Sequence, residues 1–92
     1  MELNALIESI PAKLWIGGHA VDAENGATFA VNDPATGKPI AQVADASPGD
    51  AKKAMDAAAG AQKSWARTPA RERSEILRAA FEKITERAED IA

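Results

Sequence analysis

The 92-residue chain contains no cysteine. That excludes a disulfide framework, a thiol nucleophile and a zinc–thiolate site within these residues. Histidine occurs once, at His19, which argues against a histidine metal cluster and against a Ser-His triad. No apolar run approaches the ~20 residues that a membrane-spanning helix needs. The first eleven residues carry Glu2 and Glu8 and no base before Lys13, the wrong charge for a secretory or transit leader. The default expectation is a cytoplasmic protein. Large apolar side chains are also scarce. Alanine supplies 22 of the 42 residues counted as hydrophobic, and Ile, Leu, Val and Phe together make only 16. So short a chain with so few large side chains can build only a thin core. Its net charge of -3 is nevertheless too small to favour disorder.

What is present falls into two parts. Residues 1–46 hold six acids and two bases and are rich in turn signals, whereas residues 47–92 hold eight acids and nine bases and read as helix. In the first part, Leu3, Leu6, Ile7 and Ile10 stand at helical spacing until Pro11 ends the run. Leu14-Trp15-Ile16 is β-prone, Gly17-Gly18 interrupts it and His19-Ala20-Val21 resumes. Asn25-Gly26 has the composition of a two-residue hairpin turn, which needs positive φ at both positions. Strands are expected over 28–31, with Phe29 and Val31 on one face, and over 40–44, separated by the turn cluster Asp33-Pro34-Ala35-Thr36-Gly37.

In the second part, Ser47 is placed to cap a helix, with Pro48 at its first position and Asp50 at its third. Ala51, Ala54, Met55, Ala58, Ala61 and Trp65 follow helical spacing. The small side chains suit close approach to another element, and Trp65 is expected to pack against the second helix near Leu77 or Phe81. Thr68-Pro69 repeats the start signal. Ile76, Leu77, Ala80, Phe81, Ile84, Ala88 and Ile91 then form an apolar stripe. The stripe runs to the last residues without a Gly or Asn cap, and Glu89 and Asp90 sit where a finished helix favours cations. The pattern reads as a piece of a longer polypeptide that leaves its stripe partly uncovered, open to self-association. At ~25 cal/mol per Å², hiding even ~300 Å² of such a stripe is worth several kcal/mol.

Chemical motifs are weak. Gly37-Lys38 lacks the glycine five positions earlier and the following Ser or Thr of a phosphate loop, having Asn32 and Pro39 there instead. Gly17-Gly18 belongs to no G-x-G-x-x-G fingerprint and reads as a turn. His19 has no neighbour to make it a base. Arg67, Arg71, Arg73 and Arg78 are interrupted by Glu72, Glu75 and Glu82, which fits a solvated helix face and not a nucleic-acid surface. Glu89 and Asp90 are adjacent on a helix and point apart, so they form no acid–base dyad.

The order of motifs is more specific than any one of them. Leu14-Trp15-Ile16-Gly17-Gly18, Gly26-x-x-Phe29, Asp33-Pro34-Ala35-Thr36-Gly37, Ala57-Ala58-x-x-Ala61-x-x-x-Trp65 and Arg73-x-x-Ile76-Leu77 follow one another along the chain. This succession resembles the N-terminus of the NAD(P)-dependent aldehyde dehydrogenase superfamily from Leu14 to Ala92, with Asp33 where the family usually has Asn. The stretch from Trp65 to Arg78 is most similar to the succinate-semialdehyde dehydrogenase branch. The resemblance implies an α+β fragment, short hairpin strands followed by two helices, of an α/β parent. In that parent, residues 1–92 would be the N-terminal portion of the cofactor-binding domain. The parent would oxidise an aldehyde to its acid with NAD or NADP, using a cysteine nucleophile and a glutamate that are not among these residues. No catalytic or cofactor-binding residue, and no cofactor bound by this chain alone, is then expected. The remainder of the parent chain would be its partner, with no nucleic acid and no membrane. The resemblance also implies a monovalent cation held by a backbone carbonyl at Val31 or Asn32. A stand-alone interaction module, offering its apolar helix faces to a partner, is the alternative.

Overall fold

The computed structural model describes residues 2–92. Helix α1 (Leu3–Ser9) opens the chain, capped by the Glu2 carboxylate, which accepts from the Asn4 and Ala5 N–H groups at 3.0 and 3.1 Å. It ends at Ile10, where the residue before Pro11 is extended, as a following proline favours. Strands β1 (Leu14–Ile16) and β2 (His19–Val21) form one antiparallel hairpin, and β3 (Thr28–Asn32) and β4 (Pro39–Ala44) form a second. Helices α2 (Pro48–Arg67), α3 (Ala70–Glu86) and the single turn α4 (Ala88–Ile91) complete the chain. The expected α+β class is therefore the observed one.

The turn chemistry differs from the sequence expectation in one respect. Asn25-Gly26 does not make a hairpin, because β2 and β3 do not pair. Among the described residues only glycines have positive φ, so Asn25 cannot occupy the first position of the expected turn. Its side chain instead accepts from the Ala27 N–H at 3.0 Å, and the Gly26 N–H donates to the Ala23 carbonyl at 2.8 Å. The two-residue hairpin turn is Gly17-Gly18, with φ of +62° and +81°, which leaves Ile16 opposite His19. Two successive positive φ values carry no Cβ penalty at Gly-Gly, whereas Asn-Gly has a competing side-chain hydrogen bond.

The second hairpin turns through Asp33–Gly37 as expected. The Asp33 carboxylate accepts from the Ala35 N–H at 2.8 Å, and the Gly37 N–H donates to the Asp33 carbonyl at 2.7 Å. Val31 pairs with Ala41 and Asn32 with Pro39, so Ile40 is an extra residue and the ladder bulges there. The Ala44 N–H donates to Ala12 at 2.8 Å and ties the end of β4 to the segment before β1, while the Asp45 N–H donates to Ala27 at 2.8 Å and continues the β3–β4 ladder.

The helices depart from expectation at their ends. Thr68 does not cap α3; its hydroxyl turns back to the Ser64 carbonyl at 3.0 Å and the residue closes α2. Pro69 precedes α3 with no side-chain cap. The second helix is not continuous to Ile91 either, because Arg87 leaves helical geometry (φ -106°, ψ 18°) and α4 restarts after it. Trp65 does not close over the second helix. It remains 39% exposed, while Leu77 and Phe81 are 65% and 63% exposed. The alanine face of α2 is already turned to β1, and α3 leaves the Thr68–Pro69 corner with its principal contacts to α4.

Ala23 is the one buried apolar residue among those described. The accessible surface of 7530 Å² exceeds the roughly 5,100 Å² typical of a folded chain of this mass. The radius of gyration, 16.7 Å, likewise exceeds the ~12 Å of a compact domain of this length.

Two glycines give opposite expected outcomes. Gly17→Val places a branched side chain at positive φ against Ala57 and should cost at least ~1–2 kcal/mol. Gly60→Ala, in mid-α2 with open space at its Cβ, should stabilise by about 0.5–1 kcal/mol. Urea unfolding followed by circular dichroism measures both.

Candidate functional site

The clearest polar constellation lies at the start of α2. Ser47 is extended and its Oγ accepts from the Asp50 N–H at 3.1 Å, while the Asp50 carboxylate accepts from the Ser47 N–H at 2.9 Å. This is the reciprocal cap that Ser47, Pro48 and Asp50 announce in the sequence. The structure adds a third party. Asp50 is only 3% exposed and its two oxygens also accept from the Glu24 N–H, at 3.2 and 3.1 Å. One carboxylate therefore ends the helix and holds the β2–β3 connection. The Glu24 side chain folds over the same helix end. It accepts a short hydrogen bond from the Ser47 hydroxyl and lies where a Cβ on Gly49 would stand.

The Ser47 N–H, and after it the Glu24 N–H, hold the Asp50 carboxyl below the usual carboxylate range. The Ser47 hydroxyl and the Lys53 charge act in the same direction, against the opposing effect of desolvation. This carboxylate is structural. Among the described residues no group of three or more His, Cys, Asp or Glu side chains is arranged to hold a metal.

The second feature is a shallow groove of about 490 Å³ between the first hairpin and α2, lined by Trp15, Gly17, Gly18 and the alanines Ala54, Ala57 and Ala58. The small-residue stripe of α2 does admit close approach, as expected; a Cβ on Gly17 would meet the Ala57 Cβ at 4.0 Å. The third is the outer face of α3. Ile76, Leu77, Phe81 and Ile84, with Ile91 in α4, are 55–65% exposed, so the apolar stripe is uncovered. Arg71–Glu75 and Arg78–Glu82 form i,i+4 pairs on the solvated side, as the spacing suggested.

Val31 and Asn32 lie on β3 beside the bulge. Val31 is half-buried and lines an apolar cleft of about 200 Å³ between α1 and the second hairpin, together with Ile7, Ile10, Ile40 and Val43. Asn32 is exposed and stands opposite Pro39. A cation held by carbonyls needs several oxygens at once, and no acidic cluster accompanies these two residues.

Gly17-Gly18 is committed to a hairpin turn, and the N-terminus of α2, where backbone N–H groups could receive a phosphate, is filled by the chain's own Asp50 and Glu24 carboxylates. His19 sits at the start of β2, exposed and remote from any base–nucleophile pair.

Sequence reasoning missed the role of Glu24. The capping box was legible because its members are three residues apart. The Glu24–Asp50 contact spans 26 residues and uses a backbone N–H, which leaves no residue-type signature.

Among the described residues two short antiparallel hairpins, a clasped helix and uncovered apolar faces make a small α+β chain. Residues 20–92 match the model of the aldehyde dehydrogenase family, and the chain belongs to that family. The family's enzymes are aldehyde-oxidising oxidoreductases that typically use NAD(P).

The clasp has a pH signature. Because the Asp50 pKa is lowered on folding, its contribution is fully present above the unfolded value of ~3.9 and is lost as pH falls through the folded value. Amide exchange at Glu24 and Ser47 should accelerate together over that acid range. In Asp50→Ala the same two amides should exchange fast at every pH, with the α2 N-terminus frayed.

Proposed function

We propose that residues 1–92 are the N-terminal portion of the cofactor-binding domain of an aldehyde dehydrogenase of the succinate-semialdehyde branch. The turn-rich part, 1–46, and the helical part, 47–92, serve it as outer scaffold. The whole enzyme oxidises succinate semialdehyde to succinate with NAD or NADP in the cytoplasm. Its nucleophile and its water-activating base lie outside these residues. The branch assignment rests on the resemblance of the stretch from Trp65 to Arg78 to that branch.

The observation that carries this reading is the open face of α3. Ile76, Leu77, Phe81 and Ile84 share one side of a regular helix and are all more than half exposed. A stripe of that size on one face marks a docking surface, and the remainder of the enzyme's polypeptide is the partner that covers it. Val31 and Asn32 contribute backbone carbonyl oxygens to a monovalent cation whose other ligands come from that remainder. The bulge at Ile40 supports this by interrupting the ladder opposite the two residues.

The 92-residue chain mixed with succinate semialdehyde and either cofactor should give no change in nicotinamide absorbance. Turnover that a substitution within these residues abolishes would overturn the assignment of the chemistry elsewhere. The longer polypeptide containing these residues should show a higher kcat/KM for succinate semialdehyde than for propanal. The reverse order would remove the branch assignment.

A further inference from the structure

Independently of that reading, we infer that the isolated chain forms a two-fold dimer in which α3 packs antiparallel on α3 of a second copy. The surface supplies the first argument. The chain exposes roughly 2,400 Å² more than a folded protein of its mass. A stable interface needs about 800 Å² from each partner. A continuous apolar stripe on that surface is Ile76, Leu77, Ala80, Phe81 and Ile84 of α3.

Charge supplies the second argument. On the solvated side of α3, Arg71–Glu75 and Arg78–Glu82 neutralise one another within the helix. Glu72 and Lys83 are different. They are eleven residues apart, close to three helical turns, so both lie along the same edge of the apolar stripe. Both are exposed, and neither forms an ion pair among the described residues.

In an antiparallel two-fold pair, like edges meet and the sequence runs in opposite directions. Centred between Leu77 and Arg78, such a pair sets Glu72 against Lys83 of the partner subunit and Lys83 against Glu72 of the partner subunit. The same centre overlaps the two apolar stripes and opposes the two helix dipoles. In a parallel two-fold pair unlike edges meet instead, so Glu72 and Lys83 would face the opposite edge of the partner's stripe and not each other.

The absence of native cysteine makes the test direct. Sedimentation equilibrium should give twice the chain mass of 9.6 kDa. Under oxidation, a mixture of Glu72→Cys and Lys83→Cys chains should yield a mixed disulfide dimer, while each variant alone should not, since like positions lie ~16 Å apart along the helix. Glu72→Lys should weaken association about 10-fold, and Glu72→Lys with Lys83→Glu should restore it. Both positions are solvent-exposed, so circular dichroism should be unchanged in these variants. A monomeric mass at high concentration, a disulfide between like positions, or association indifferent to the charge reversal would each overturn the inference.

Discussion

The Asp50 carboxylate is the point at which the two halves of the chain are joined. It is the one charged group among the described residues that is withdrawn from water, and it accepts from backbone N–H groups on both sides of the junction. A carboxylate at a helix N-terminus already has a favourable field. Here the same oxygens also satisfy the Glu24 N–H of the β2–β3 connection, an otherwise orphaned donor. Apart from that bond and the Ser47–Glu24 side-chain hydrogen bond, the first hairpin meets α2 through contacts of β1 and the Gly17-Gly18 turn with alanine side chains. Such contacts bury little apolar area, so the polar clasp carries an unusual share of the tertiary order.

The two long helices divide the work of packing differently. α2 offers methyl groups, which allow a backbone turn to lie within van der Waals distance but give little hydrophobic free energy. α3 offers large side chains and finds no surface on this chain to cover them. The thin core foreseen from composition is thus a matter of placement as well as number: Ile76, Leu77, Phe81 and Ile84 of α3 are all more than half exposed. Assignment to the aldehyde dehydrogenases rests on the match of residues 20–92 to that family's model.

Much of the architecture was legible in the sequence because it is encoded locally. The reciprocal cap of Ser47 and Asp50, the Asp33–Gly37 turn, the strands around it and the stripe of α3 each depend on residues within a few positions of one another. Where two local signals competed, the sequence misled. Asn25-Gly26 and Gly17-Gly18 both suit a tight hairpin turn, but the Asn25 side chain bonds to Ala27 and the double glycine takes the hairpin. Thr68, similarly, satisfies the carbonyl behind it and not the helix ahead.

What the sequence determined by itself is most of the elements, the absence of a thiol and the amphipathic stripe of α3, since periodicity and composition dictate these. Only the tertiary structure decided which strands pair, that Glu24 closes onto the cap of α2, and that Trp65 stays 39% exposed instead of closing over α3. Those outcomes turn on backbone donors and helix directions set by residues far apart in the chain. A backbone N–H has the same chemistry in every residue but proline, so no pattern of side chains announces the carboxylate it will meet.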